Sequence, residues 1–327
     1  MPLDGETFRL LEMMRKRGAA PLHTMPVADS RAALRALMEK VDVAPEPLES
    51  VRDVTIRGPA GQTLPIRIYA AAPGSGARPA VLFIHGGGFA LGDLDTHDRT
   101  CRYIAARADA LVVAVDYRRA PEQPFPAAVE DCGAALRWLA ARATTLGAHP
   151  GRIVVSGDSA GGNLAIVTVI EAIRAGGPAI AGLVPIYPVV DLRPDVALYP
   201  SRREFGDGSY FLSGQDLQWF ADLYAPQAGT RVDPRCSPLF APIPAGLPPT
   251  LIIAAGCDVL ADEGRLFAER LRQAGVPVTY RLFPGTVHGF VSFSGLLESG
   301  RTALDTVCTW IRAVAAGGSF AVRRTQE

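Results

Sequence analysis

Short, almost continuous apolar runs alternate with helical patterns through most of this chain, and this alternation limits the possible folds more than any other feature. Strands that are apolar at every position are typical of a parallel sheet covered on both faces. Strand, helix and strand in turn form βαβ units. The sequence therefore predicts an α/β fold with a central, mostly parallel eight-stranded sheet flanked by helices. The strands are predicted at 51–57, 64–69, 80–84, 110–115, 152–156, 180–186, 251–255 and 278–283.

Two stretches interrupt this rhythm. Residues 1–50 have the apolar spacing of two helices separated by a proline-containing breaker. Residues 189–247 contain seven prolines and a cluster of aromatic residues. We expect both to form a helical cap over the sheet, as its N-terminal part and as an insertion. The two parts of the core are then 51–188 and 248–316, and 317–327 are expected to form a flexible tail.

The composition excludes several classes of protein. The chain has 327 residues, and 33 Lys and Arg balance 33 Asp and Glu, which argues against a nucleic-acid groove or an anionic membrane surface as a partner. No span is apolar enough for a membrane, and no secretory leader is evident, so we expect a cytoplasmic protein. The five cysteines are scattered without a C-x-x-C pair. The sequence predicts no metal site and no cofactor.

The segment 157–162 (GDSAGG) carries the first candidate for chemistry, Ser159. It lies directly after a predicted strand and directly before a predicted helix. Small residues at such a turn let the backbone lift a serine hydroxyl above the sheet, which is the geometry of a nucleophile elbow. The alternative at this stage is a glycine-rich turn with a serine that caps the helix.

The segment 85–88 (HGGG) ends another predicted strand and is much rarer by chance. Consecutive glycines let backbone N–H groups point at one site without side chains in the way, as an oxyanion requires. A phosphate-binding nest is the alternative, but no lysine follows the glycines. His85 precedes the glycines, so we expect it to support the loop and not to react.

A serine nucleophile needs a base, and in hydrolases built on α/β sheets the chain order is Ser, acid, His. His288 is the one histidine after Ser159, and it follows the last predicted strand. Asp258 follows the strand predicted at 251–255, where catalytic groups collect in open sheets. Its rivals Asp262 and Glu263 fit better as acids in the first turn of a helix.

The remaining histidines and acids have less specific positions. His23, His97 and His149 are expected to be surface or loop residues. Acidic residues of the insertion are expected to be solvated or to cap helices; they include Asp191, Asp216 and Asp233.

Taken together, five motifs in this order resemble the hormone-sensitive-lipase family of bacterial carboxylesterases, which has the α/β-hydrolase fold. The resemblance extends from about residue 79 to residue 290. The motifs lie at 85–88 (HGGG), 117–122 (YRRAPE), 157–162 (GDSAGG), 258–260 (DVL) and 288–290 (HGF).

The resemblance implies that Ser159 is the nucleophile, His288 the base and Asp258 the acid. Arg119 stands where the family usually has an apolar residue, and Val259 stands where it usually has proline. The backbone N–H groups implied to form the oxyanion hole belong to Gly87, Gly88 and Ala160.

We therefore expect a carboxylic ester hydrolase that works through an acyl-enzyme. The resemblance implies short to medium acyl chains, and it suggests a homodimer through the last strand and helix. Trp219, Phe220 and Tyr224 are candidates for the substrate pocket, although they cannot all share one helical face and could equally be the core of the cap. Alternatives are a non-catalytic receptor for a small molecule, or amide, lactone or carbonate hydrolysis or an elimination with the same residues. Whether Cys257 is reactive or merely packed stays open.

Overall fold

The computed structural model describes residues 2–18, 20–71 and 78–318. Its eight strands form one sheet in the order β1-β2-β4-β3-β5-β6-β7-β8. The first two joints, β1 with β2 and β2 with β4, are antiparallel, and all the others are parallel. The predicted α/β fold with a mostly parallel sheet is confirmed. The strands are β1 (Ser50–Arg57), β2 (Thr63–Ala70), β3 (Arg78–Ile84), β4 (Leu111–Val115), β5 (Ala148–Asp158), β6 (Gly182–Ile186), β7 (Thr250–Cys257) and β8 (Val278–Val287).

Helices cover both faces of the sheet. Within the described residues they are α1 (Gly5–Lys16), α2 (Val27–Val41), α3 (Asp98–Ala108), α4 (Ala127–Arg142), α5 (Ala160–Arg174), α6 (Pro200–Phe205), α7 (Gly214–Tyr224), α8 (Ala261–Gln273) and α9 (Glu298–Ala315).

The strands in the middle of the sheet are apolar because both of their faces are buried. Every residue of β3 is buried. Leu82 and Ile84 point to one apolar cluster, with α4, α5 and α8. Val81 and Phe83 point to the other, with α3 and α9. Because neighbouring side chains of a strand alternate between faces, this strand needs no polar position.

The N-terminal helices and the insertion meet beyond the carboxyl ends of the strands. His23, just before α2, contacts Asp216 of α7 through its ring Nδ1 at 2.8 Å and its backbone N–H at 3.2 Å. Asp216 also completes a capping box with Ser213 at the start of α7. This agrees with the capping role expected of Asp216. The division of the chain into cap and core segments remains a prediction.

The end of the chain is only partly described. Helix α9 ends at Ala315, and of the predicted tail 317–327 all residues from 319 on lie outside the described part. Among the described helices none is both long enough and apolar enough to cross a lipid bilayer.

Candidate active site

Ser159 occupies the turn between β5 and α5 with the unusual backbone angles φ 55° and ψ −117°. Its backbone N–H donates to the carbonyl oxygen of Ile186 on the neighbouring strand at 2.9 Å. A Cβ atom on Gly157 would lie 2.4 Å from Gly161 O, and one on Gly161 would lie 2.0 Å from Ile84 O. Only glycine allows the start of α5 to approach β3 this closely, which explains the G-x-S-x-G spacing.

His288 and Asp258 extend a chain of hydrogen bonds from this serine. His288 Nε2 lies 2.8 Å from Ser159 Oγ, and His288 Nδ1 lies 2.8 Å from Asp258 Oδ2. The second oxygen of Asp258 accepts the N–H of Leu260 at 2.9 Å. An ionised carboxylate only accepts hydrogen bonds, so Nδ1 carries the ring proton and Nε2 is free to accept the serine proton. Three distant segments of the chain thus form one relay.

The loop after β3 faces the same serine. Gly87 and Gly88 have φ values of +111° and +59°. Both line one cavity with Ser159, Ala160 and His288. A Cβ on Gly87 would lie 2.6 Å from the backbone of Leu91, so this tight turn requires glycine. The three residues expected to form the oxyanion hole therefore lie around Ser159.

His85 holds this loop in place through contacts with Tyr117 and with the backbone of Gly86. Its ring stacks on Tyr117 with a centroid distance of 4.2 Å, and its Nδ1 lies 2.9 Å from Gly86 O. Tyr117 donates its hydroxyl proton to the carbonyl oxygen of His85 at 3.0 Å. Burial lowers the pKa of His85 to about 3, so the ring is neutral at pH 7. This placement agrees with the supporting role expected from the sequence.

His97 lies in the turn before α3, which is one of the two positions expected for it, but it is not on the surface. The residue is only 6% exposed and lines the cavity. Its Nε2 lies 3.1 Å from Oδ1 of Asp158, the residue before the proposed nucleophile. The sequence does not predict this burial, because a local pattern around His97 cannot show a partner on a distant strand. The sequence does contain one signal for such a partner. Asp158 lies next to Ser159, between a buried strand and a buried helix, where a carboxylate needs a cation beside it.

The cavity above Ser159 has a mainly apolar wall and about 890 Å³ of empty space, including the part open to solvent. Leu22, Leu34 and Met38 line it from the N-terminal segment, and Leu217 and Phe220 line it from the insertion. Both stretches predicted to form a cap therefore contribute to its wall. No lysine or arginine belongs to this lining in the described part of the chain.

Of the three aromatic residues considered for the pocket, only Phe220 lies in the lining. Tyr224 is buried and stacks on Phe89 with a centroid distance of 3.8 Å. Trp219 is half-buried beside Phe220, at 4.9 Å between ring centroids. Trp219 is next to Phe220 in the helix and therefore points to a different side of it. Tyr224 lies one turn further along the same face as Phe220, but there it packs on Phe89 and does not reach the cavity.

Asp258 has the geometry that its rivals lack. Asp262 accepts the backbone N–H of Ser201 at 2.8 Å. Glu263 lies in the first turn of α8, as predicted, but it is fully buried and paired with Arg202. Burial raises the pKa of Glu263 to about 7, which Arg202 opposes. Asp262 and Glu263 therefore both connect the insertion, through Ser201 and Arg202, to helix α8 of the core.

Asp191 and Cys257 also have buried surroundings. Asp191 was expected to be solvated or capping, but it is only 1% exposed and its Oδ2 accepts hydrogen bonds from Arg193 and Tyr199. Cys257 is buried beside Asp258, and burial raises the pKa of its thiol, which favours the unreactive form. No group of ligands suited to a metal ion occurs within the described ranges.

Comparison with known proteins agrees with this geometry. A family model described as an alpha/beta hydrolase fold matches residues 81–292. The chain is 41% identical over 293 residues to the carboxylic ester hydrolase LipN of Mycobacterium tuberculosis, covering 88% of this chain and 76% of that protein. It is 35% identical over 304 residues to an ethyl acetate hydrolase of Pseudomonas putida, with coverage of 92% and 94%.

Solved structures give the same result. A hyperthermophilic esterase from the archaeon Pyrobaculum calidifontis is 38% identical, with a TM-score of 0.90, and the match covers 96% of this chain and 99% of that one. The resemblance to the hormone-sensitive-lipase family is thereby confirmed, and the chain belongs to the α/β-hydrolase family, among its esterases.

Proposed function

We propose that this protein hydrolyses carboxylic esters with short to medium acyl chains through an acyl-enzyme on Ser159. The observation that supports the reaction is the relay from Ser159 Oγ to His288 and on to Asp258, with 2.8 Å at each step. The names of its relatives, which include an ethyl acetate hydrolase, support the ester bond as the target.

In the first half of the reaction, His288 Nε2 takes the proton of Ser159 as the hydroxyl oxygen attacks the carbonyl carbon. The negative charge that develops on the carbonyl oxygen is held by backbone N–H groups. The protonated imidazole then gives its proton to the leaving alcohol, and Ser159 keeps the acyl group. Asp258 fixes the Nδ1–H tautomer and stabilises the imidazolium. The proposed donors of the oxyanion hole are Gly87, Gly88 and Ala160.

In the second half, water takes the place of the alcohol. His288 removes a proton from this water as it attacks the acyl carbon, and the same N–H groups hold the second oxyanion. Collapse of this intermediate returns the proton to Ser159 Oγ and releases the carboxylic acid.

The wall of the cavity supports an uncharged, apolar acyl or alcohol group. Leucine, methionine and phenylalanine side chains from the N-terminal segment and the insertion contribute to this wall beside the serine. A bounded pocket of this kind favours chains that fit inside it, in contrast to an open face that binds a lipid surface.

A ladder of p-nitrophenyl esters from C2 to C16 tests this proposal, with an anilide measured beside it. Wild type should hydrolyse the short and medium esters fastest. Ser159→Ala and His288→Ala should lower kcat by about 10⁶-fold, and Asp258→Asn by about 10⁴-fold because the wrong tautomer is then favoured. Ser156→Ala is the matched control, since Ser156 lies on β5, the strand that leads to Ser159, and donates to Val184 O at 2.9 Å.

Other outcomes decide against the proposal. Tight binding without turnover would assign the protein as a receptor. A higher kcat/KM for the anilide than for its matched ester would assign an amidase. Full activity of Ser159→Ala would show that Ser159 is not the nucleophile. A highest rate with the C16 ester would contradict the assignment of short to medium chains.

A further inference from the structure

A buried ion pair lies beside the glycine loop and has no part in the relay. Asp158 Oδ1 accepts the backbone N–H of Gly86 at 2.9 Å and lies 3.1 Å from His97 Nε2. Asp158 and His97 are 7% and 6% exposed, and both line the cavity that contains Ser159. The other oxygen of Asp158 lies so close to the loop that a Cβ on Gly86 would be 2.4 Å from it. The carboxylate of Asp158 is therefore packed directly against the proposed oxyanion loop.

Hydrogen bonding around His97 indicates that its ring is a cation. Thr96 has one hydroxyl proton, which it donates to Asp93 O at 2.9 Å. The same Oγ1 lies 2.9 Å from His97 Nδ1 and, with its proton directed at Asp93 O, is placed to accept a hydrogen bond from that ring nitrogen. His97 Nε2 faces the carboxylate of Asp158, which can only accept. Both ring nitrogens then carry protons.

The surrounding charges agree with this protonation. Burial alone would lower the pKa of His97, but the nearby carboxylates, Asp158 first and then Asp42 and Asp93, together outweigh burial and the pKa is raised. Burial opposes ionisation of Asp158, but His97 more than compensates and the pKa of Asp158 is lowered. His85, on the other side, is neutral at pH 7 and adds no charge. The remaining titratable groups that face Asp158 are uncharged: Cys101, Tyr117 and Tyr187.

An unpaired carboxylate at position 158 would oppose the proposed reaction. The oxyanion forms next to Ser159, in a cavity where charges are weakly screened. A second negative charge on the preceding residue would raise the energy of that oxyanion. A cationic partner removes the net charge and leaves the carboxylate oxygen free to hold Gly86.

We propose that Asp158 and His97 are a positioning pair for the oxyanion loop: Asp158 fixes Gly86 and so directs the following N–H groups, while His97 cancels the charge of Asp158 beside the developing oxyanion. This inference rests on the proposed esterase function. Neither side chain exchanges a proton with the substrate in this role.

Four variants separate the two parts of the pair. Asp158→Asn keeps an oxygen that can accept the Gly86 N–H, so kcat should fall by less than about tenfold. Asp158→Ala removes that acceptor, and kcat should fall by about 10²-fold with a smaller change in KM. His97→Gln keeps a donor but loses the charge, and kcat should fall by about 10- to 100-fold. The double variant His97→Gln/Asp158→Asn has no unpaired charge, and it should recover kcat to within about tenfold of wild type.

The pH profile supplies a readout that a purely structural role would not change. In His97→Gln, Asp158 is buried without a cation, so its pKa rises above the ordinary value. As pH increases through that pKa the carboxylate ionises and kcat falls. This alkaline limb should begin at a lower pH than in wild type, and it should disappear in the double variant.

His23→Gln is the matched control, since His23 also pairs with an aspartate, Asp216, but lies in the predicted cap. It should leave kcat and its pH profile unchanged. Equal kcat for His97→Gln and wild type, or equal losses for Asp158→Asn and Asp158→Ala, would overturn the inference. If His97→Gln does not fold, the double variant decides: a kcat as low as that of Asp158→Ala also overturns it. Absence of ester hydrolysis by wild type would instead refute the proposed function.

Discussion

At the scale of single residues, Gly88 in the 85–88 loop cannot be replaced freely, because another part of the chain packs against it. The sequence does not show this contact. Gly88 has φ +59°, and a Cβ placed on it would lie 2.1 Å from Phe220 Cδ1 on helix α7. The insertion therefore touches the loop that is proposed to bind the oxyanion. The need for glycine here combines backbone strain with a steric contact.

We expect Gly88→Ala to lower kcat by about 10²-fold or more, because the methyl group must displace either Phe220 or the proposed N–H donor. Gly88→Ala/Phe220→Ala should recover part of this loss, since the contact is relieved while the strain at positive φ stays. Steady-state kinetics with p-nitrophenyl butyrate measure both.

Gly246→Ala provides the control for strain alone. Gly246 has φ +84° with no atom within 4 Å of an added Cβ. Its substitution should cost some stability and leave kcat as in wild type. Unchanged kcat in Gly88→Ala would mean that Gly88 does not hold the oxyanion.

At the scale of elements, the short helix α6 is fastened to the start of α8 by a buried ion pair. Arg202 and Glu263 are 1% and 0% exposed in their side chains. Glu263 Oε1 also accepts the N–H of Val190 at 2.9 Å, at the point where the insertion leaves the core. This arrangement ties the insertion to the helix that follows Asp258.

Arg202→Leu should destabilise the protein by about 3–5 kcal/mol, because it leaves Glu263 buried without its cation. Chemical denaturation measures the change in the free energy of unfolding. Arg202→Leu/Glu263→Gln should recover part of the loss, since glutamine keeps an acceptor for Val190 N–H without a charge. The carbonyl oxygens of Asp191 and Arg193, which accept hydrogen bonds from Arg202, still lose that donor.

The control is an arginine on α8, the helix that carries Glu263. Arg265→Leu breaks ion pairs of a side chain that is 50% exposed, and it should cost at most about 1 kcal/mol. If Arg202→Leu and Arg265→Leu lower the free energy of unfolding equally, the buried ion pair does not stabilise the contact between α6 and α8.

These elements also show what the sequence can predict. The strands are correct because apolar runs between turn residues report burial on both faces. The sequence offers Ser159, Asp258 and His288 as candidates because each follows a strand in the required order, and the structure brings the three side chains together. The predicted helical position of Glu263 is right, but its burial depends on Arg202, which comes from a distant helix. His97 was missed for the same reason. Local patterns report the periodicity of one element, whereas buried ion pairs depend on which elements become neighbours.

At the scale of the whole molecule, several titratable groups are buried together at the carboxyl edge of the sheet. His85 is 2% exposed and Asp42 is 6% exposed. Burial raises the pKa of Asp42 to about 6 and lowers that of His85 to about 3. Because the two shifts act in opposite directions on stability, the effect of His85 has to be measured as a difference between two proteins.

His85→Asn isolates this effect, since the amide of asparagine can replace the Nδ1–H that faces Gly86 O. In wild type the unfolded chain binds a proton on His85 below about pH 6.5, while the folded protein stays neutral there until about pH 3. Stability therefore decreases as pH falls through this window, by up to about 1.4 kcal/mol per unit. Between pH 6.5 and 5 the free energy of unfolding should fall by up to about 2 kcal/mol more in wild type than in His85→Asn.

Urea denaturation at several pH values tests this difference, and His149→Asn serves as the control because His149 is exposed. Asp42 is present in all three proteins, so its opposite contribution cancels in the comparison. His149→Asn should follow wild type. Parallel curves for wild type and His85→Asn would show that the folded protein accepts a proton at His85. In that case the loop after β3 would contain a charged imidazole, and His97 would share with His85 the neutralisation of Asp158.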